Sequence, residues 1–189
     1  MQIVILGPPG AGKGTQAEKI AEKYGIPHIS TGAMLRAEVK KGSDLGKTVK
    51  AVMERGDLVA DDVMLELVRR RLDEPDCKPG FILDGFPRTL PQAEGLDTLL
   101  AKRGTPGITV IDLVVPEDEL VRRMLARKRA DDTESTIRNR IRVYHDETAP
   151  LVEFYREKDA AGRLEFFQVN GDRPIEKVFD EITRLLPKM

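Results

Sequence analysis

One cysteine, two histidines and no tryptophan occur in 189 residues. The lone Cys77 excludes an internal disulfide and a cysteine-based zinc site within the chain. His28 and His145 lie far apart and outside any recognisable motif, so a structural or surface role is expected of each. Net charge is also lacking: 31 Lys and Arg stand against 32 Asp and Glu, a balance of −1. No global field therefore draws the chain toward nucleic acid or a membrane surface. No apolar run approaches the length of a spanning helix. The first residues show no basic, apolar and cleavage-site order of a signal peptide. Together these absences point to a reducing cytoplasm. There is no internal repeat, low-complexity tract or long linker. With 40% hydrophobic and 33% charged residues, the expectation is one globular domain over 1–189 with a real core.

What is present is alternation. Nearly continuous apolar runs predict strands at 2–6, 27–30, 81–84, 109–115 and 165–169. Helical patterns fall at 14–24, 31–41, 45–55, 61–72, 90–103, 116–127, 133–155 and 175–185, with Pro150 expected to kink or restart the long one. Strand and helix in turn predict an α/β fold of P-loop NTPase type, a parallel sheet between two helical layers. Two inserts interrupt it, residues 30–59 and 127–132, leaving a core of 1–29, 60–126 and 133–189. Both fall at the C-terminal edge of the strands, where open α/β sheets bind ligands.

Four blocks carry chemistry. Gly7-Pro8-Pro9-Gly10-Ala11-Gly12-Lys13-Gly14-Thr15 follows the run Ile3-Val4-Ile5-Leu6 and precedes a helix. Glycines let backbone N–H groups approach a polyphosphate, the helix start adds its dipole, and Lys13 supplies a point charge. The second block is Phe81-Ile82-Leu83-Asp84-Gly85-Phe86-Pro87-Arg88. A carboxylate at that strand end can hold Mg²⁺ directly or through water. The third is Ser30-Thr31-Gly32 with Arg36 one turn on; Thr31 can also simply cap the helix. The fourth runs from Arg122 to Arg142, where eight Lys or Arg meet only Asp131, Asp132 and Glu134. Arg122, Arg138 and Arg142 fit a solvated face. Arg127, Arg129 and Arg140 can converge on one point and stabilise the spread charge of a phosphoryl transition state. Asp131 and Asp132 can hold them and cap the next helix.

The loop in the form GPPGAGKGT resembles those of nucleoside monophosphate kinases. The wider set resembles adenylate kinase: GPPGAGKGTQ, STG with Arg36, GDLV at Gly56 to Val59, LDGFPR with Gln92, and RADD before a helix carrying Arg140. It covers essentially the whole chain. The resemblance implies reversible, Mg²⁺-dependent transfer from ATP to AMP, giving two ADP, by a cytoplasmic monomer. It implies ATP binding by Gly10, Ala11, Gly12, Lys13, Gly14, Thr15, Arg127 and Arg173. AMP binding falls to Thr31, Arg36, Asp57, Leu58, Val59, Gly85, Phe86, Pro87, Arg88, Gln92, Arg129 and Arg140. Lys13, Arg88, Arg127, Arg129 and Arg140 then act in catalysis, and Asp84 supports Mg²⁺ through water. Residues 30–59 correspond to the AMP-binding lid and 127–132 to the ATP lid. That ATP lid is very short, which excludes the zinc-binding subtype.

Two other readings remain. A kinase of UMP or CMP is the alternative within the same class; Thr31, Val59 and Gln92 speak against it, since Gln92 matches the N6 and N1 edge of adenine. A GTPase-type switch would read guanine through an Asn/Thr-Lys-x-Asp motif, and none is present.

Overall fold

β1 (Gln2–Leu6) sits in the middle of the sheet, and its sequence shows why. Ile3 and Ile5 enter one core cluster; Val4 and Leu6 enter the other. A strand buried on both faces needs apolar residues at every position rather than at alternate ones. The structure, a computed structural model, describes residues 1–104, 107–127 and 132–187. Five parallel strands are ordered β2-β3-β1-β4-β5. The others are β2 (His28–Ser30), β3 (Phe81–Asp84), β4 (Thr109–Val114) and β5 (Glu165–Asn170). In register, Ser30 and Ile5 both pair with Asp84, and Leu6 pairs with Asp112. The chemistry-bearing strand ends therefore share one edge. The predicted α/β, parallel-sheet architecture is the observed one.

The helices are α1 (Lys13–Tyr24), α2 (Thr31–Lys41), α3 (Asp44–Arg55), α4 (Asp61–Leu72) and α5 (Leu90–Lys102). Then come α6 (Glu117–Ala126), α7 (Glu134–Val143), α8 (Pro150–Ala160) and α9 (Ile175–Leu185). Side-chain caps start several of them. Ser43 Oγ accepts from Gly46 N–H, Thr89 Oγ1 from Gln92 N–H and Thr133 Oγ1 from Thr136 N–H.

One expectation is met and two are corrected. The long helix over 133–155 restarts at Pro150, as expected: α7 ends at Val143, a π-helical turn spans Tyr144–Thr148, and α8 opens at Pro150. Pro150 has no N–H to donate and crowds the preceding turn, and the chain widens just before it, with Ala149 N–H reaching Tyr144 O at 2.8 Å. Thr31 does not cap α2. Ser30 holds the cap position, and Thr31 Oγ1 donates to Gly85 O at 2.8 Å. Nor does Asp132 cap α7; Thr133 does, because the Asp132 carboxylate is engaged by arginines. Asp131 lies outside the described residues.

α2 and α3 cross closely at a corner pinned by Ser43, whose Oγ also lies 2.7 Å from Glu38 Oε2. Gly46 is what permits the crossing, since a Cβ there would stand 2.1 Å from Glu38 O, a backbone atom. Helix propensity alone would make Gly46→Ala stabilising by about 1 kcal/mol. We expect the opposite, a melting temperature lowered by about 5 °C, because overpacking against backbone outweighs propensity. Thermal denaturation followed by circular dichroism decides the sign; a raised melting temperature would contradict the packing argument.

Candidate active site

The phosphate-loop glycines are needed for distinct reasons. Gly7 (φ +133°) lies where a Cβ would come 2.7 Å from Leu113 O, so the loop can hug β4 only without one. Gly12 (φ +94°) would put a Cβ into open space, so there the conformation alone demands glycine. The turn delivers the chain into α1 at Lys13, leaving the first N–H groups of the helix facing the cleft. Lys13 folds back over this loop. Its Nζ donates to Gly7 O at 2.7 Å and Pro8 O at 2.8 Å.

A cleft of about 890 Å³ opens on this edge of the sheet. Its wall includes Gly10, Ala11, Gly12, Lys13, Gly14 and Thr15. Thr31, Arg36, Asp57, Leu58, Val59, Gly85, Pro87, Arg88 and Gln92 belong to the same wall. Asp84, Arg127, Arg140 and Arg173 also line it. Phe86 does not. Its side chain is fully buried in the core, where it anchors the turn that presents its neighbours. Arg129 lies outside the described residues.

The cations are close enough to perturb one another. Burial is the main cause that pulls the Lys13 pKa down to about 8; Arg88 and Arg127 add to it, while Asp84 and Asp112 oppose it. Arg88 is solvent-accessible but walled in by protein. Its pKa is lowered first by that loss of bulk water and then by Arg140 and Arg36, against Asp84. Arg88 is also fixed in place, with Nε on Gly85 O at 2.8 Å. Arg36 folds over the start of its own helix, where a Cβ on Gly32 would lie 3.2 Å from its Nη1. Arg127 and Arg140 share one carboxylate. Asp132, whose side chain is 1% exposed, accepts from Arg127 Nη2 at 2.9 Å and Arg140 Nη1 at 2.6 Å.

Asp84 stands beside the loop, with Oδ2 3.4 Å from where a Cβ on Gly14 would be. Burial works against its ionisation. The hydrogen bond from His28 (3.2 Å) and the charges of Lys13, His28 and Arg88 prevail, and its pKa falls below the ordinary carboxylate value. His28 thus supports the site through Asp84, a role that only the β2–β3 register reveals. Gln92 is almost wholly buried; Nε2 donates to Asp61 Oδ1 and Oε1 accepts from Arg88 N–H, both at 2.8 Å. The amide keeps one N–H and one lone-pair direction beyond these. Arg173 has Nε on Asn170 O and an ion pair to Glu181, so its guanidinium is engaged by the protein.

Arg122, Arg123 and Glu119 also line the cleft, unforeseen from sequence. Arg122 is exposed and paired with Glu119, as a solvated face would be. Arg123 instead ties α6 to the loop after β5, through Gly171 O and Asp172. Arg138 and Arg142 are exposed, as expected.

A lysine whose charge is penalised by burial in the folded protein makes stability pH-dependent. The unfolded chain binds more protons between about pH 8 and 10.5, so stability rises with pH across that window, and the penalty is full below it. Amine-reactive labelling mapped by mass spectrometry should give Lys13 a midpoint near pH 8, below the usual lysine value of about 10.4. Inorganic tripolyphosphate should move the Lys13 midpoint up. A Lys13 midpoint at 10 or higher without ligand would contradict the crowding described.

The family model described as adenylate kinase matches residues 5–160. An adenylate kinase from Archaeoglobus fulgidus is 44% identical over 220 aligned positions, covering 100% of this chain and 99% of that protein. One from Magnetococcus marinus is 45% identical over 98% of this chain and 100% of its own. One from Mycobacteroides abscessus is 52% identical over 87% of this chain and 93% of its own. Similarity of this extent reaches across both halves of the cleft, and the chain belongs to the adenylate kinase family.

Proposed function

We propose that the chain transfers the terminal phosphoryl group of ATP to AMP, reversibly, giving two ADP. The observation that carries this is the continuity of the cleft. The phosphate loop, Lys13, Arg36, Arg88, Arg127 and Arg140 all line one cleft, with Arg127 and Arg140 on one carboxylate. An oxygen of the AMP phosphate attacks the γ-phosphorus in line. The bond from γ-phosphorus to the β–γ bridging oxygen breaks, and ADP leaves with that electron pair. The protein supplies positioning and charge rather than covalent chemistry.

Each residue then has a task. The loop N–H groups and Lys13 hold the β and γ phosphates. Arg36 and Arg88 hold the AMP phosphate, and Arg127 and Arg140 gather the transferring group, with Arg129 joining them as the resemblance implies. Thr31, Asp57, Leu58, Val59, Gly85, Pro87 and Gln92 enclose the monophosphate, and the backbone at Arg173 meets the ATP base. Asp84 is ionised and beside the loop, and the one oxygen that His28 engages leaves the other for a hydrated cation. That donor fits Mg²⁺, which takes few protein ligands and keeps its waters. When bound it neutralises phosphate charge. Residues 30–59 form the AMP-binding insert and 127–132 the short ATP lid of a single domain, which together keep water from the reaction.

The protein acts as a monomer in the cytoplasm. Among the described residues, exposed large apolar side chains such as Leu90, Leu125 and Ile175 are scattered through the sequence, and no helix is long and apolar enough to cross a membrane. Nothing favours UMP or CMP over AMP.

A coupled assay with ATP and each of AMP, GMP, CMP and UMP tests the reading. ADP formation should be fastest by far with AMP. Lys13→Met should keep the native circular dichroism spectrum and lower kcat by about 10²–10³, the usual cost of one charge donor in a water-excluded site. Preferred turnover of CMP or UMP, or a folded Lys13→Met variant above about a tenth of wild-type kcat, would refute it.

A further inference from the structure

The C-terminal turn of α3 leaves carbonyls that the helix cannot satisfy. Gly56 (φ +82°) closes part of the account, with Gly56 N–H on Met53 O and Asp57 N–H on Val52 O, both at 3.1 Å. The rest are satisfied from a distant part of the chain. Thr136 Oγ1 of α7 donates to Glu54 O at 3.1 Å, and Asn139 Nδ2 donates to Arg55 O at 2.8 Å. Asn139 Nδ2 also donates to Asp57 Oδ1 at 2.8 Å. A primary amide has two N–H groups, and both are used here. The amide oxygen accepts from Arg142 Nη2 at 2.7 Å, which fixes the way the group faces. Asp57 is completed by Arg55 Nε at 2.8 Å on its other oxygen. The two helices touch closely, for a Cβ on Gly56 would lie 2.9 Å from Arg140 Cγ and 3.1 Å from Thr136 O.

We propose that Asn139 is a positioning residue for the monophosphate pocket. It is not part of the cleft wall, whereas Asp57, which it holds, and the next two residues, Leu58 and Val59, are. By holding the end of α3 and the Asp57 carboxylate together, it sets where that strip of wall stands. The proposal rests on the reading of this strip as the AMP side of the cleft. Without Asn139 the strip samples other positions, and AMP binds only the fraction of molecules that have it in place. The phosphate loop is not in this network, so ATP binding is expected to be unchanged. Asn139 also sits one residue before Arg140, so the helix that brings a guanidinium to the transferring group is the helix that secures the acceptor pocket.

The test compares wild type with Asn139→Ala and Asn139→Asp. Both variants should raise KM for AMP by about tenfold, the cost of losing buried or charge-assisted hydrogen bonds, with KM for ATP within about twofold. The order matters. Asn139→Asp keeps the size but sets a carboxylate against Arg55 O and Asp57, so it should be at least as harmful as Asn139→Ala. A space-filling role would make it the milder change. Hydrogen exchange at the Gly56 and Asp57 amides should quicken in both variants while Ile3 to Leu6 stay protected. An active wild type whose variants keep KM for AMP overturns this proposal alone. So do variants that raise both KM values together, or that are unfolded at the assay temperature. A wild type that makes no ADP from ATP and AMP overturns the functional reading and this one with it.

Discussion

Lys13, Arg36, Arg88, Arg127 and Arg140 face one cleft, and like charges brought together repel. At about 4 Å and an effective dielectric near 20, two unit charges cost about 4 kcal/mol. A protein with net charge −1 has no overall field to offset this, so the compensation has to be local. It comes from nearby carboxylates, Asp112 among them. Asp132 is buried between Arg127 and Arg140, and Asp84 lies near Lys13 and Arg88. The compensation is partial. Lys13 and Arg88 both have lowered pKa values, each with a neighbouring guanidinium among the causes. A polyphosphate is the ligand that relieves what the carboxylates leave.

Such a site can be kept only by a rigid frame. The parallel sheet supplies it, buried on both faces, with Asp84 at the end of β3 and the phosphate loop at the end of β1. The elements around the cleft are joined to that frame by apolar packing, with Leu35, Val49 and Phe86 in the core, and by polar contacts as well. The end of α3 is held by hydroxyl, amide and guanidinium groups from α7. The turn carrying Arg88 is held by Gln92 and by Thr148, whose Oγ1 donates to Arg88 O at 2.8 Å.

Much of this was legible in the sequence because it is local. The strand before the phosphate loop and the turn after β3 are written in consecutive residues, and α2, α4 and α9 occupy the spans their periodicity implies. What failed was non-local or competitive. Thr31 had two possible partners, and the choice of Gly85 O over a cap depends on β2 lying beside β3. Asp132 likewise chose two arginines over a helix start, a preference set by burial. Phe86 sits inside a functional motif yet points into the core, which spacing cannot reveal. His28 and Asn139 carry no motif at all. Their importance comes from partners 56 and 82 residues away.

The central claim is that one cleft holds two nucleotides joined through their phosphates. Hydrogen exchange with the bisubstrate analogue diadenosine pentaphosphate tests it most directly. The analogue spans both ends at once, so its second contact forms at high effective concentration. The account predicts slowed exchange across residues 30–59 and 127–132 together, with Ile3 to Leu6 unchanged because they are buried already. Protection of only one of the two segments, or binding no tighter than that of ATP, would contradict it.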